Sequence, residues 1–388
     1  MQLESIQQAL QAEGLDGWLF YDHHHRDPLA YRILGLSETY SPTRRWFYFI
    51  PATGEPRALT HRIESHSLDA LPGRRRLYSR WAELTSELTS LLTGATVIAM
   101  QHSPNNAVPY VGMVDSGTVE FVRSLGLDIR TSANLVQLFE ARWSDWQLQS
   151  HTEAGRRMDR ARAAAFDYIR ERLATITPTT EWDVHQFLHQ QFRAASLITD
   201  HGPIVAVNAN ASNPHYEPSA DQHAPIRPGD LVLIDMWAKL DQTDSVYYDI
   251  TWTGYCGSSP TDAIQNVFRV VTGGRDRGIE TVTARAGSGL QGFEVDDAVR
   301  GFIATQGFAE YFIHRTGHSI GTSVHGAGAN MDNFETHDER RVIPRTCFSI
   351  EPGVYLPEFG IRSEVNMYIG EDTARVTGEI QRDLVILG

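Results

Sequence analysis

Hydrophobic and polar positions in the first 140 or so residues follow short patterns of two kinds. Residues 5–13 have the apolar spacing of an amphipathic helix, whereas residues 17–21, 46–50 and 96–100 are runs of aromatic, β-branched and aliphatic side chains, as in strands. Helix-like and strand-like segments that alternate in this way predict an α/β N-terminal domain with a mixed sheet.

A long helix is predicted directly downstream of this region. Residues 145–173 are rich in Ala, Arg, Gln and Glu and contain no Gly after position 155, a composition that favours a continuous helix. Because 388 residues exceed the usual size of one hydrophobic core, we expect two domains, formed by residues 1–145 and 146–388.

The C-terminal part of the chain predicts an α+β domain with antiparallel strands. Helical patterns cover residues 181–196, 262–284 and 295–306, and strand patterns cover residues 231–238, 245–253, 347–350 and 361–369. Helices and strands that are grouped in this way are typical of an α+β arrangement.

Five acidic or imidazole side chains of this domain occupy positions where such groups are otherwise hard to justify: Asp235, Asp249, His318, Glu351 and Glu364. Asp235 ends an apolar run, where an ionised carboxylate is costly unless a cation or hydrogen-bond donors compensate it. Glu351 stands where an apolar strand gives way to a Pro-Gly turn, so its side chain can face a cleft. His318 lies in a loop between glycines, which allow close backbone approach to a ligand.

Strand alternation predicts the neighbours of two of these carboxylates. Asp249 shares a face with Thr251, opposite an apolar set, and should therefore point into a polar pocket. Glu364 shares a face with Arg362, which we expect to support it as a neighbouring cation. Four carboxylates and one imidazole form an oxygen-rich donor set that suits Mn²⁺, Co²⁺ or Zn²⁺ better than copper. The set predicts a hydrolytic site with two metal ions.

Composition and charge narrow the function classes. The formal charge of −14, from 34 basic and 48 acidic residues, argues against nucleic acid or an anionic membrane as the main partner. Cys256 and Cys347 show no CxxC spacing and suggest neither a disulfide framework nor a thiolate zinc site. The start of the chain has no signal-peptide pattern, and no apolar run is long enough to span a bilayer, so we expect a cytoplasmic protein.

The five residues and their surroundings resemble the pita-bread metallopeptidases, the family of Xaa-Pro dipeptidase (prolidase), aminopeptidase P and methionine aminopeptidase. The resemblance covers residues 140 to 388. It rests on the motifs Ile234-Asp235, Asp249-Ile250-Thr251, Gly317-His318-Ser319-Ile320-Gly321 with His314 and His325, Ser349-Ile350-Glu351-Pro352-Gly353-Val354-Tyr355, and Gly360-Ile361-Arg362-Ser363-Glu364. It implies a pita-bread (creatinase/aminopeptidase-like) fold for the C-terminal catalytic domain.

The resemblance also implies roles for individual residues. Asp249 and Glu364 would bridge two divalent ions (Mn, Co or Zn), Asp235 would chelate one of them, and His318 with Glu351 would complete the other. Glu351 would also act as the catalytic base. His215 and His325 would bind the substrate and stabilise the oxyanion, and His314 and Arg362 would lie around them.

The N-terminal domain resembles, more weakly, the creatinase-type α/β domain of prolidases, aminopeptidases P and creatinases, which disfavours a methionine aminopeptidase. The run His23-His24-His25 after the first strand leaves three interpretations open: an additional metal site, a polar loop, or, as in related dimeric prolidases, a loop that reaches the active site of a partner subunit. In the third case His24 or His25 would help to close the pocket over a short substrate.

Three departures from the family pattern affect substrate details more than the metal ligands. Asp249 follows Asp235 by 14 positions (249 − 235), a few more than usual, so the connecting hairpin is predicted to be longer. Trp252 replaces the commoner Arg after Asp-Ile-Thr, and Val365 replaces the acidic residue that often follows the last Glu. Asp241 or Asp244 could compete as ligands, but their surroundings favour a solvated turn.

The sequence therefore predicts a homodimeric Xaa-Pro dipeptidase that hydrolyses short proline-containing peptides. An aminopeptidase P-type enzyme, or a broader aminopeptidase that acts on longer peptides, remains an alternative. So does a small-molecule C–N hydrolase of the same fold, although creatinase itself works without metal and this chain keeps the complete ligand set. A non-catalytic binding protein is disfavoured for the same reason.

Overall fold

The computed structural model describes residues 1–37, 39 and 42–388 and divides into two compact units, Met1–Glu140 and Ala141–Gly388. The division falls a few residues before the domain boundary expected after residue 145. The reason is Trp143, whose backbone N–H donates to the carbonyl of Arg345 over 2.6 Å and whose indole N–H donates to the carbonyl of Ile320 over 3.2 Å. The segment that leads into the long helix is therefore part of the second unit.

The described residues of the first unit form helices around one mixed sheet. Its helices are α1 (Leu3–Ala12), α2 (Pro28–Leu34), α3 (Trp81–Leu91), α4 (Ser116–Ser124) and α5 (Ala133–Glu140). Its strands are β1 (Gly17–Asp22), β2 (Trp46–Pro51), β3 (Arg57–His61), β4 (Arg74–Tyr78), β5 (Val97–Met100) and β6 (Asp128–Thr131). The strand order is β4-β3-β2-β1-β5-β6; β1, β2 and β3 pair antiparallel in turn and the other neighbours pair parallel. The mixed sheet predicted from the sequence is confirmed.

The second unit begins with the long helix that the sequence predicts. Its helices are α6 (Asp145–Ala174), α7 (Glu181–Ala194), α8 (Asp262–Arg285) and α9 (Gly292–Thr305). Its strands are β7 (Leu197–Ile198), β8 (Ile204–Val207), β9 (Leu231–Leu240), β10 (Tyr248–Tyr255), β11 (Ser319–Ile320), β12 (Cys347–Ile350), β13 (Gly353–Tyr355), β14 (Gly360–Arg362), β15 (Val365–Ile369), β16 (Ala374–Thr377) and β17 (Val385–Ile386).

Two central antiparallel strands, β9 and β10, position the first two acidic residues. Asp235 lies opposite Thr251, and Asp249 lies opposite Trp237, so all four side chains share one face of the sheet. The other face packs on α6, where Met158 and Ala165 belong to the same buried cluster as Ile234. Covering one face with a helix leaves the opposite face available for polar groups.

The predicted strand of residues 361–369 is wrong as a single element. It divides into β14, which pairs with β13, and β15, which pairs with β12. Between them the backbone N–H of Ser363 donates to the carbonyl of Pro352, and that of Glu364 donates to the carbonyl of Thr251. The chain changes its pairing partners at these two residues, so Glu364 lies at a break between sheets.

The predicted second strand also begins later than expected. Residues 245–247 precede β10, and the backbone N–H of Tyr247 donates to the carbonyl of Gly321 over 2.9 Å. The longer connection between Asp235 and Asp249 extends β9 to Leu240 and adds a solvent-exposed turn at Asp241 to Asp244. In the described part of the chain, no helix combines the length and the apolar character needed to cross a membrane.

Candidate metal centre

Three of the five predicted residues converge directly. Asp249, His318 and Glu364 are buried, and one possible ligand atom from each lies within 4.8 Å of the others. Asp249 comes from β10, His318 immediately precedes β11, and Glu364 lies in the break between β14 and β15. Elements that are far apart in sequence thus place two carboxylates and an imidazole at one point.

Glu351 and Asp235 extend this cluster on either side. The Nε2 atom of His318 lies 3.4 Å from Oε1 of Glu351 and 3.5 Å from Oδ2 of Asp249. Asp235 is near enough for its negative charge to raise the pKa of both Asp249 and Glu364. The structure therefore brings together all five residues that the sequence singled out. Asp235 interacts with Asp249 and Glu364 through its negative charge.

Arg362 contacts a different carboxylate from the one expected. Its guanidinium donates to Oδ2 of Asp235 over 2.6 Å, to Oγ1 of Thr251 over 3.1 Å and to the hydroxyl of Tyr355 over 3.0 Å. Arg362 is linked to Glu364 by hydrogen bonds through the hydroxyl of Thr251. The break before Glu364 explains the difference, because the two side chains are no longer neighbours on one regular strand.

Several polar residues outside the predicted set hold the ligands in place. The hydroxyl of Thr251 donates to Oε2 of Glu364 over 2.8 Å, and the hydroxyl of Ser349 donates to Oε1 of Glu351 over 2.9 Å. The side-chain amide of Asn366 donates to the backbone carbonyl of Asp249 and accepts from its backbone N–H. Sequence reasoning did not assign these roles to Ser349 and Asn366. The spacing of two between Ser349 and Glu351 was the available signal, since it places both on one side of a strand.

Two carboxylate oxygens at the centre lack any hydrogen-bond partner. They are Oδ1 of Asp249 and Oε1 of Glu364, and both are buried. A buried carboxylate oxygen without a donor is costly unless a cation compensates it. Both atoms belong to the cluster of Asp249, His318 and Glu364, so the donor set fits a divalent ion.

Electrostatics lead to the same interpretation. Burial raises the pKa of Asp235 and, together with the neighbouring carboxylates, raises that of Glu364 well above its usual range. Burial, reinforced by the charge of Asp235, raises the pKa of Asp249 to about 7. Burial acts in the same direction on Glu351, but interactions with His318, His314 and Arg362 outweigh it and lower that pKa. The raised pKa values of the other three carboxylates show that ionising the whole cluster requires more positive charge than His318 and Arg362 provide.

Three of the five other predicted histidines belong to the second unit and differ in their relation to the centre. The ring of His325 lies 4.4 Å from that of His318, and burial together with His318 lowers the pKa of His325 to about 4. His314 bonds through Nε2 to the hydroxyl of Tyr355 over 2.6 Å, and burial lowers its pKa to about 4 as well. His215 is exposed and its backbone N–H donates to Oδ1 of Asn213 over 3.2 Å; in the described part of the chain its imidazole forms no hydrogen bond or ion pair with the five residues.

His24 and His25 lie in the loop after β1, in the first unit. The ring of His24 lies 4.3 Å from that of His23, and the ring of His25 lies 4.1 Å from that of Tyr31. Both residues adopt positive φ angles, 65° for His24 and 56° for His25, which are uncommon for residues other than Gly. The loop therefore has a defined backbone conformation within its own unit.

Gly317 allows His318 to approach the sheet. A Cβ atom at Gly317 would lie 1.9 Å from the carbonyl oxygen of Ser349. The close approach that the glycine permits is thus to the backbone of β12, whereas the sequence suggested an approach to a ligand. The backbone N–H of His318 then donates to Oγ of Ser349 over 2.9 Å, which brings the imidazole beside Glu351.

Comparisons with known proteins match this architecture. The Xaa-Pro dipeptidase of Lactobacillus helveticus is 30% identical over 237 residues, 60% of this chain and 59% of that protein, so the match spans less than two thirds of the relative. The probable dipeptidase PepE of Mycobacterium tuberculosis is 25% identical over 367 residues, 92% of this chain and 89% of that protein. The crystal structure of dipeptidase PepE from Mycobacterium ulcerans has a TM-score of 0.67 at 22% identity and covers 100% of this chain and 97% of that chain.

The fold class expected from the sequence, a mixed α/β chain with a pita-bread domain, is confirmed by these likenesses. The model of metallopeptidase family M24 matches residues 149–371, which is more than half of the chain and includes all five residues of the cluster. This chain belongs to metallopeptidase family M24.

Proposed function

We propose that the chain is a peptidase that uses two divalent ions to hydrolyse the Xaa-Pro bond of dipeptides or short peptides. The observation that carries the proposal is the pair of buried, unpartnered oxygens on Asp249 and Glu364, within a cluster of four carboxylates and one imidazole. Two divalent ions would offset the negative charge of such a cluster, which Arg362 neutralises only in part.

In this proposal Asp249 and Glu364 would hold both ions, Asp235 would hold one, and His318 with Glu351 would hold the other. Asp249 and Glu364 each have one oxygen free of hydrogen bonds, which supports their role as metal ligands. Oxygen-rich sites with one imidazole suit Mn²⁺, Co²⁺ or Zn²⁺. When bound, such ions lower the pKa of water and polarise the carbonyl of the scissile bond.

Glu351 is the proposed base. Its lowered pKa keeps it ionised near neutral pH, so it is able to accept a proton from the attacking water and pass it to the leaving amine. The hydroxyl of Ser349 donates to Oε1 of Glu351 and fixes the orientation of the carboxylate. The leaving group of an Xaa-Pro bond is a secondary amine, which needs that proton to depart.

His325 and His215 are the proposed substrate residues. The low pKa of His325 leaves its imidazole neutral, so it is able to donate a hydrogen bond to the developing oxyanion without adding a charge next to His318. His215, which is exposed, is free to contact a substrate. His314 and Arg362 both form a hydrogen bond with the hydroxyl of Tyr355, and in this proposal they position the metal ligands.

The choice of substrate rests on the relatives and on peptide chemistry. The protein of Lactobacillus helveticus is an Xaa-Pro dipeptidase, and the mycobacterial one is a probable dipeptidase. An Xaa-Pro bond lacks an N–H and populates the cis form more than other peptide bonds, so it calls for a dedicated pocket. We infer the same bond as the target in this chain.

The proposed assembly is a homodimer in which His24 or His25 of one protomer closes the pocket of its partner over short substrates. The defined conformation of their loop supports this role, because a closing element has to be held in position. Light scattering would measure the oligomeric state. Unchanged ratios of Ala-Pro to Ala-Pro-Ala cleavage in the His24→Ala and His25→Ala variants would contradict the role of the loop.

The function is tested on chelated protein reloaded with Mn²⁺, Co²⁺ or Zn²⁺. We expect two metal equivalents per chain by mass spectrometry of the metals, and cleavage of Ala-Pro and Leu-Pro that far exceeds cleavage of Ala-Ala. Faster cleavage of Ala-Pro-Ala than of Ala-Pro would instead favour an aminopeptidase P-type enzyme. Cleavage that survives in an Asp249→Asn variant, or that needs no metal, would contradict the proposal.

A further inference from the structure

The first unit contains a cavity of about 840 Å³ whose lining includes none of the five residues of the candidate metal centre. It lies at one end of the sheet, where β1, β3 and β4 end and where α3 and α4 begin. Its lining residues all belong to this unit. A volume of this size is within the range of sites that bind small organic molecules.

Six of the fifteen lining residues of the cavity have basic side chains: Arg26, Arg44, Arg45, His23, His24 and His61. Among the described lining residues, Asp115 is the one carboxylate, and both of its oxygens already accept hydrogen bonds from Thr118 at the start of α4. The lining therefore has three arginines and one carboxylate, and two further carboxylates, Asp22 and Glu64, accept hydrogen bonds from the backbone N–H groups of Arg26 and Arg44. The chain as a whole has a formal charge of −14, so the positive lining is a local feature that favours an anion.

Two of the arginines are available to a ligand. Within residues 1–37, 39 and 42–388, neither Arg26 nor Arg45 forms an ion pair. Arg74, elsewhere on the same unit, pairs instead with Glu55 over 2.8 Å. A guanidinium group without a carboxylate partner is well suited to bind a phosphate through two parallel hydrogen bonds.

Aromatic rings form the other part of the lining. Trp81 is 63% exposed, which is unusual for so large an apolar side chain, and Tyr21, Tyr78 and Phe121 line the same cavity. The guanidinium of Arg45 lies 5.3 Å from the ring centre of Trp81. Exposed aromatic surface beside an arginine favours a ligand that has a planar ring next to its negative charge.

The backbone of the histidine loop holds part of this lining in place. The carboxylate of Asp22 accepts hydrogen bonds from the backbone N–H groups of His25, Arg26 and Asp27, over 2.9, 2.6 and 3.1 Å. His24 keeps a positive φ angle in this loop. Strained residues persist where the surrounding contacts over-determine them, commonly at ligand sites. These hydrogen bonds therefore fix the backbone from which the Arg26 side chain extends.

We propose that this cavity binds a small organic dianion that combines a phosphate group with a planar ring, the chemistry of a nucleoside monophosphate. The phosphate contacts Arg26 and Arg45, and the planar ring lies against the part of the Trp81 side chain that Phe121 and Arg45 leave exposed. Two guanidinium groups without a carboxylate partner match a phosphate monoester better than a single carboxylate does.

Calorimetric titration of the full chain with the four common ribonucleoside 5′-monophosphates tests the proposal. We expect at least one of them to bind with one site per chain, and adenosine and ribose 5-phosphate, which lack the charge or the base, to bind about tenfold more weakly or worse. The proposal is overturned if none of the four nucleotides binds, or if ribose 5-phosphate binds as tightly as the nucleotide does. Displacement of the nucleotide by Ala-Pro would assign the cavity to the peptide substrate and would also overturn it.

Matched variants locate the site. Arg45→Gln should weaken both the nucleotide and ribose 5-phosphate by about tenfold, because it removes a contact to the phosphate. Trp81→Leu should weaken the nucleotide alone, since it removes only the contact to the ring. Arg74→Gln, an exposed arginine of the same unit that is paired with Glu55, should leave both affinities unchanged. Equal binding by the wild type and the Trp81→Leu variant, with circular dichroism showing both folded, would place the nucleotide elsewhere and overturn the proposal.

Discussion

Arg362 and Asp235 form a buried ion pair, with 2.6 Å between Nη2 of the guanidinium and Oδ2 of the carboxylate. The same guanidinium donates to Thr251, whose hydroxyl in turn donates to Glu364. One cation therefore orients a carboxylate from β9 directly and a carboxylate from the break after β14 through a hydroxyl. Groups that orient metal ligands in this way commonly affect metal affinity almost as strongly as the ligands do.

Replacing this guanidinium tests that relationship. Arg362→Lys keeps the positive charge but loses the planar set of donors that reaches Asp235, Thr251 and Tyr355 at once. We expect metal affinity, measured by competition with a chelator, to fall by about 10–100-fold. The exposed Arg382→Lys serves as the control and should bind metal as the wild type does. Equal affinity in the Arg362→Lys variant would mean that Asp235 is oriented by other contacts.

The hydroxyl of Thr251 is the second link in the same network. Thr251→Val preserves the shape of the side chain but leaves Nε of Arg362 without an acceptor and Oε2 of Glu364 without a donor. Unsatisfied buried groups cost about 1–3 kcal/mol each, so both unfolding free energy and metal affinity should decrease. Thr251→Ser restores the hydroxyl and should recover most of each loss in urea unfolding and metal titration. A Val variant as stable and as active as the Ser variant would show that the hydroxyl is dispensable.

Sequence patterns were sufficient for those features that depend on local periodicity. Alternation placed Asp249 and Thr251 on one face, and the register of β9 and β10 confirms this. The composition of residues 145–173 predicted α6 almost to its ends. Such features are readable because each depends on neighbours a few positions away.

Features that depend on distant contacts were not accessible in this way. Arg362 and Asp235 are 127 positions apart, and nothing near Arg362 indicates that Asp235 is its partner. The break at Ser363 and Glu364 likewise arises because β13 and β12 lie on different sheets, which alternation along one segment does not report. The cavity of the first unit is the extreme case, since its lining comes from the ends of several strands and helices.

Metal binding should depend on pH in a defined direction. The pKa of Asp249 is raised to about 7, and contacts with Asp249 and Glu351 raise that of His318 against the effect of burial. A metal ion binds the ionised carboxylate and the neutral imidazole, so at lower pH it has to displace protons from both. Metal affinity should therefore increase as pH rises through 7, and the raised pKa values of Asp235 and Glu364 act in the same direction.

The same shifts set the stability of the metal-free protein. At pH values between the usual and the raised pKa of Asp249 and of His318, the folded chain binds more protons than the unfolded chain. The contribution of these two groups to the free energy of unfolding therefore decreases as pH rises. Thermal unfolding in excess chelator and in excess Mn²⁺, from about pH 5 to pH 8, measures both effects. We expect the stabilisation by metal to grow with pH. A constant difference in melting temperature across this range would contradict the assignment of Asp249 and His318 as ligands.

Two glycines of the second unit provide a matched test of what positions the imidazole of His318. A Cβ atom at Gly317 would lie 1.9 Å from the carbonyl oxygen of Ser349, whereas one at Gly301, on α9, would meet nothing within 4 Å. Gly317→Ala should lower the free energy of unfolding by about 1–3 kcal/mol, as overpacking does, and should weaken metal binding because His318 moves with the strand. Gly301→Ala should instead raise the free energy of unfolding by about 0.5–1 kcal/mol, since alanine is the better helix former. Urea unfolding and metal titration of both variants measure these effects. If the Gly317→Ala protein unfolds and binds metal like the Gly301→Ala protein, β12 shifts to make room for the added methyl group. In that case the glycine is not needed to place the imidazole of His318.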